Sequence, residues 1–139
     1  MTRKTYGGYG ITELRQCAKE YKIAGRTKMD GWDLLAAVRA YWEAERQRKE
    51  QELLAAAKVE PGVLLRHKST GDVIRVLTDV VTWEPYGALC VDAEYVEVDG
   101  WGDDRRTERA AYLNRGDAER RARGVATLHP LYQYEAMAS

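Results

Sequence analysis

With 139 residues, 45% of them hydrophobic, the chain can bury a core, as one ordinary domain or as two very small modules. No run approaches the ~18 apolar residues of a bilayer span, and MTRKTYGGYG at the start lacks an apolar core of signal-peptide length, so a soluble cytoplasmic protein without membrane association is expected. Lysine plus arginine equals aspartate plus glutamate at 22 each, a balance unlike that of most nucleic-acid-binding domains.

The average conceals an asymmetry. Residues 1–50 hold 11 basic and 7 acidic side chains, a net +4, whereas residues 51–139 hold 11 and 15, a net −4. The two stretches are therefore judged separately. Phenylalanine is absent, so the aromatic bulk comes from nine tyrosines and four tryptophans, whose polar atoms do best near a surface or a partner. Cys17 and Cys90 show no paired spacing and are expected as reduced, buried thiols.

Residues 1–10, rich in glycine and tyrosine, are expected as a flexible or loosely docked arm. Thr12 stands where a helix N-cap is wanted, and Leu14, Cys17, Ala18 and Tyr21 follow at i, i+3, i+4 and i+7, one face of a helix ending near Lys22. Gly25 supplies the stop. Thr27 and Asp30 have the spacing of a capping box that opens a second helix with Leu34, Leu35 and Val38 facing inward. Residues 11–42 thus form a helix-extended-helix module joined by KIAGRT, its second helix running long.

From Glu43 to residue 60 the apolar stripe fades and a charged connecting helix is predicted. Glu45–Lys49, Arg46–Glu50 and Arg48–Glu52 would each add about 0.2–0.5 kcal/mol on an exposed face. Pro61 and Gly62 end it. Residues 61–139 then alternate β-branched and polar side chains between turn signals (VLLRHKS, TGD, VIRVLTDVVTW, EPYG, ALCVDAEYVEV), which describes an antiparallel meander. DGWGDD breaks the pattern at residues 99–104, and an insertion over 100–124 is predicted as one or two short helices interrupted by NRGD. ATLHPLYQYEAM closes the sheet, with His129-Pro130 forcing an extended or edge geometry. The fold class is α+β: an N-terminal helix-extended-helix, then a small antiparallel β-barrel with a helical insertion.

The turn between the first two helices, carrying Gly25, Arg26 and Lys28, gathers two cations near the free amides of the second helix, a natural seat for phosphate, and Arg15, Lys19 and Lys22 extend the positive surface. Such contacts are electrostatic and salt-sensitive. The same residues resemble a known family. ITELRQCAKEYKIAGRTKMDGWDLLAAV, residues 11–38, resembles the helix-extended-helix of SAP domains and of the N-terminal helical subdomain of the terminator Rho. The resemblance implies phosphate contacts for Arg26, Thr27 and Lys28 and core roles for Leu14, Ala18, Leu34 and Leu35. Asp30-Gly31-Trp32-Asp33 departs from the family pattern, placing two acids beside the groove. PGVLLRHKSTGDVIRVL in turn resembles the opening of a small Src-homology-type barrel seen in phage and bacterial proteins.

These residues imply non-enzymatic binding of nucleic acid, DNA rather than RNA, by an accessory protein of phage or bacterial kind, working in the host cytoplasm if phage-encoded. The alternative is a protein-interaction or inhibitor module that grips a host protein through Trp32, Tyr41 and Trp42 or through an acidic barrel face. That face draws on Asp79, Glu84, Asp92, Glu94, Glu97, Asp99, Asp103 and Asp104, eight acids with no intervening lysine or arginine. The arginines between 105 and 123 either pair with those acids or contact nucleic acid themselves. A homo-oligomer is left open. His67 and His129 have no nucleophile or paired carboxylate at a useful spacing, and no metal-ligand or phosphate-loop motif occurs, so no catalytic residue, metal or cofactor is expected.

Overall fold

A computed structural model describes residues 4–84, 87–99 and 105–137, which fall into two compact units, residues up to 46 and residues from 47 onward. In the first, Thr5–Tyr6 (β1) and Tyr9–Gly10 (β2) pair antiparallel around Gly7 and Gly8. Both glycines have positive φ, 58° and 89°, as a tight two-residue hairpin turn demands. Residues 4–10 are thus a hairpin rather than a free arm, and the tyrosines are what dock it. Tyr6 meets Trp32 edge-on with ring centroids 5.0 Å apart, and Tyr9 packs against Trp42. The Tyr6 ring lies so close over Gly31 that a Cβ there would fall 2.2 Å from it.

Ile11–Glu20 forms α1 and buries Leu14 and Ala18. Thr12 is not its cap: Gly10 holds that position, without a side-chain hydrogen bond, and Thr12 lies inside the first turn because the hairpin leads straight into the helix. Nor is Gly25 the stop. The Ile23 amide donates to the Ala18 carbonyl and the Lys22 amide to that of Lys19, a Schellman closure with Lys22 at the left-handed position (φ 54°) where glycine is usual. Ile23 packs on the same core as Leu14, so tertiary burial, not backbone preference, sets where α1 ends.

The connection onward is coiled rather than extended. Gly25 is left-handed and Arg26–Lys28 form a single 3-10 turn. Asp30, rather than Thr27, caps the next helix: its Oδ1 accepts from the Asp33 amide at 2.8 Å. That helix, α2, runs unbroken from Gly31 to Ala56, so the second helix and the charged connecting helix are one element. Leu34, Leu35 and Val38 complete the first core. Further along, α2 is not polar all round. Arg48 and Glu52 pair as predicted, but Glu50 is buried with its carboxylate accepting from the Leu89 amide at 2.8 Å, and Leu53 enters the second core.

The second unit is a curled, half-barrel antiparallel sheet with the C-terminal end of α2 and one further helix against it. Its strands are β3 (Leu64–His67), β4 (Val73–Val76), β5 (Val81–Trp83), β6 (Ala88–Glu97), β7 (Leu128–Pro130) and β8 (Tyr134–Ala136). The order is β5-β6-β4-β3-β8, with β7 on β6. The long β6 serves β5 and β7 along residues 88–92 and β4 along 93–97, with an irregularity in register at Val73/Ile74. Leu65, Ile74, Val76, Val91, Ala93, Leu131 and Tyr134 fill the core. The single closing strand expected from the sequence is two three-residue strands split by a 3-10 turn at Leu131–Gln133, which sends β7 to β6 and β8 to β3. Pro130 is the last residue of β7, opposite Cys90.

The insertion holds one helix, α3 (Arg106–Ala122), which passes through NRGD without a break. Asn114 and Asp117 of that stretch face inward, and the Asn114 carboxamide grips β6: Oδ1 accepts from the Tyr95 amide and Nδ2 donates to the Tyr95 carbonyl, both at 2.7 Å. This anchoring outweighs the helix-weakening effect of Gly116. Of DGWGDD only Asp99 is among the described residues. No described helix is long and apolar enough to cross a membrane.

Candidate nucleic-acid interface

Arg15 and Lys19 sit one helical turn apart on α1, beside the face that buries Leu14 and Ala18, so the core packing of this helix fixes their outward direction. Lys22 closes the helix, and Arg26, Thr27 and Lys28 make the 3-10 turn after it. All six side chains predicted for nucleic acid are exposed. Four of them, Arg15, Lys19, Arg26 and Thr27, line one cleft of about 350 Å³ together with Met29 and Leu34. Met29 was not among the predicted site residues; its only signal in the sequence is its place immediately after the basic turn.

The seat imagined for phosphate at the start of α2 is taken by the protein itself. The Asp30 carboxylate already accepts there, so an anion of the chain occupies the positive end of that helix. What remains is the α1 side of the turn. Arg26 spends one donor, Nη1, on the Ile23 carbonyl at 3.3 Å and keeps the others. Glu20, the one acid between residues 14 and 29, accepts from Gln16 Nε2 at 3.0 Å. Among the described residues no carboxylate pairs with Arg15, Lys19, Lys22, Arg26 or Lys28. Lys19 and Lys22 lie at the C-terminal end of α1, whose dipole favours cations and so tolerates the accumulation.

The other basic stretch is built differently. Arg106 reaches Asp99 at 3.1 Å, Arg120 reaches Asp117 at 3.6 Å and Arg123 reaches Glu119 at 3.8 Å. Arg121 forms the tightest pairing: Nε and Nη2 grip both Asp92 oxygens at 2.9 and 2.7 Å, Nη2 also donates to the Ala93 carbonyl, and Thr127 Oγ1 donates to Asp92 at 2.6 Å. Burial works to raise the Asp92 carboxyl, but the bonds from Arg121 and Thr127 and the charge of Arg121 outweigh it, and the carboxyl is held below its ordinary range. Glu94 meets Arg75 at 2.7 Å. Asp92, Glu94 and Asp99 of the acidic stretch are thus matched within the fold. Asp103 and Asp104 lie outside the described residues.

The aromatic alternative is partly consumed by packing. Tyr41 stacks on Tyr21 with centroids 4.0 Å apart, and Trp42 Nε1 donates to the Tyr21 hydroxyl at 2.7 Å, leaving Trp32 as the exposed member of the three. The histidines are held locally. His67 Nδ1 accepts from the Ser69 and Thr70 amides, shaping the turn after β3. His129 is buried with Nδ1 3.0 Å from the Tyr134 hydroxyl, and burial lowers its pKa while raising that of Tyr134. Cys17 and Cys90 are free thiols, and among the described residues no three ligating side chains gather as a metal centre would need. No protein-family model, curated protein or solved structure matches this chain.

Proposed function

We propose that the first unit binds the backbone of a nucleic acid, DNA in preference to RNA, without catalysing a reaction. The observation that carries this reading is the set of five exposed cations on α1 and its turn that have no carboxylate partner among the described residues, whereas Arg106, Arg120, Arg121 and Arg123 of the other basic stretch are each paired with one. Clustered like charges repel one another and lower stability, so such a set is best understood as complementary to a polyanion. The likeness of residues 11–38 to SAP and Rho N-terminal helix pairs supports the same reading, with the phosphate contacts moved from the start of α2 to the α1 side of the turn. We take the curled sheet as a small Src-homology-type barrel that supplies a second contact or recruits a protein in a phage or bacterial accessory complex.

The test is a gel-shift titration of the full chain at two salt concentrations. If five phosphates are contacted, the logarithm of affinity falls with a slope of about −3.5 to −4.5 against log salt. Replacing Arg15, Lys19 and Arg26 with alanine together should flatten that slope by about 2 to 3. Absence of any shift at low salt overturns the reading and favours docking of a protein partner on Trp32, a residue 56% exposed.

A further inference from the structure

The cleft that holds the cations is not lined by cations alone. Arg15, Lys19, Arg26 and Thr27 share it with Met29, which is partly buried, and with Leu34, which belongs to the first core. Contacts to phosphate oxygens alone would make no use of the apolar wall that Met29 supplies above the buried Leu34. At about 350 Å³ the cleft is at the small end of the range for ligand pockets, room for one planar ring system rather than for a helix or a groove wall. A base inside a duplex is stacked on both faces and cannot enter, whereas a single strand can turn one base out at small cost.

We infer that the cleft takes one unstacked base of a single-stranded nucleic acid, an inference resting on the nucleic-acid reading above. The base lies against Met29, over the buried Leu34, and a guanidinium of Arg15 or Arg26 covers its exposed face or reaches the adjoining phosphate. Lys19, with Lys22 and Lys28 nearby in the chain, meets the phosphates to either side. Thr27 offers a hydroxyl that both donates and accepts, which suits a base edge without choosing one base over another.

The experiment is fluorescence anisotropy of the full chain at low salt with three probes of equal phosphate number: an oligothymidylate strand, the same strand made abasic throughout, and a blunt duplex. The oligothymidylate should bind about tenfold more tightly than either of the others. Met29→Gln should remove most of that advantage, while Arg15→Ala should weaken all three probes. Equal binding of the three probes by the unmodified chain would overturn the inference and leave backbone binding standing. Failure of all three to bind removes the nucleic-acid reading itself. The comparison among probes needs no variant, so it decides the matter even if Met29→Gln folds poorly.

Discussion

The fork between Asn114 and β6 offers the sharpest test of how the second unit holds together. Beyond β7, which pairs with β6 only at residues 90–92, the outer edge of β6 would expose the Tyr95 amide and carbonyl, and the carboxamide supplies both missing partners at 2.7 Å. Each bond contributes about 0.5–1.5 kcal/mol net, and more is lost if the stranded groups stay dry, so Asn114→Ala should cost about 2 kcal/mol after a few tenths are returned by better helix propensity. Asn114→Asp is the informative variant. One carboxylate oxygen can still accept from the amide, but the other then faces the Tyr95 carbonyl, oxygen against oxygen, unless it carries a proton. The introduced carboxyl should therefore titrate above the ordinary aspartate range in the folded state. A raised folded pKa gives stability that is present at low pH and lost as pH rises through that value, so the deficit of Asn114→Asp relative to the native chain should widen between pH 4.5 and 7.5 and exceed that of Asn114→Ala at the upper end. Urea unfolding followed by circular dichroism across that range measures it, with hydrogen exchange at the Tyr95 amide as the local readout. A pH-independent Asn114→Asp, or an Asn114→Ala within a few tenths of a kcal/mol of the native chain, refutes the reasoning.

Three further outcomes follow from particular residues. Lys22→Gly relieves a left-handed lysine and should stabilise the first unit by about 0.5–1 kcal/mol in urea titrations, whereas Lys22→Ala should not, which separates backbone strain from lost charge. Gly31→Ala drives a methyl into the Tyr6 ring and should lift the hairpin from the helix, costing about 1–3 kcal/mol and altering the fluorescence of Trp32, which Tyr6 touches. His129 is buried with a lowered pKa, so the unfolded chain binds the proton more readily than the folded one: stability should decline as pH falls below about 6.5, and continue to fall until the folded-state value is passed. His129→Phe should remove that component of the pH profile, and an unchanged profile contradicts the assignment.

The periodic parts of this fold were legible because periodicity reports burial directly. Leu14, Ala18, Leu34, Leu35 and Val38 follow from spacing alone, as do most strands of the sheet. What the sequence concealed are places where a distant contact overrides a local preference. Lys22 takes the position that Gly25 seemed to claim because Ile23 must reach the core. NRGD stays helical because Asn114 is tied to a strand nineteen residues earlier. The short hairpin at residues 5–10 is held by Tyr6 and Tyr9, whose partners Trp32 and Trp42 no local window includes. In the same way the five cations were readable from composition, but the cleft that three of them and Thr27 share with Met29 was not, since it depends on how the turn coils back on α1.

The distribution of carboxylates separates two basic stretches that a charge count treats alike. Residues 14–29 and 105–123 each carry a net +4. In the second, arginines are drawn into the packing of α3 on β6, where a bidentate grip on Asp92 and a bond to the Ala93 carbonyl satisfy strand and helix together. The Arg121 guanidinium cannot leave for a phosphate without abandoning the largely buried Asp92 carboxylate, a loss of several kcal/mol that an exposed phosphate contact would not return. In the first stretch nothing has to be broken. The lysines and arginines on α1 and its turn stand in water, so contact with a polyanion forfeits only hydration and loosely held counterions, and the release of those ions favours binding. Net charge therefore sets the strength of the field, whereas prior commitment of the cations decides which of the two stretches is free to use it.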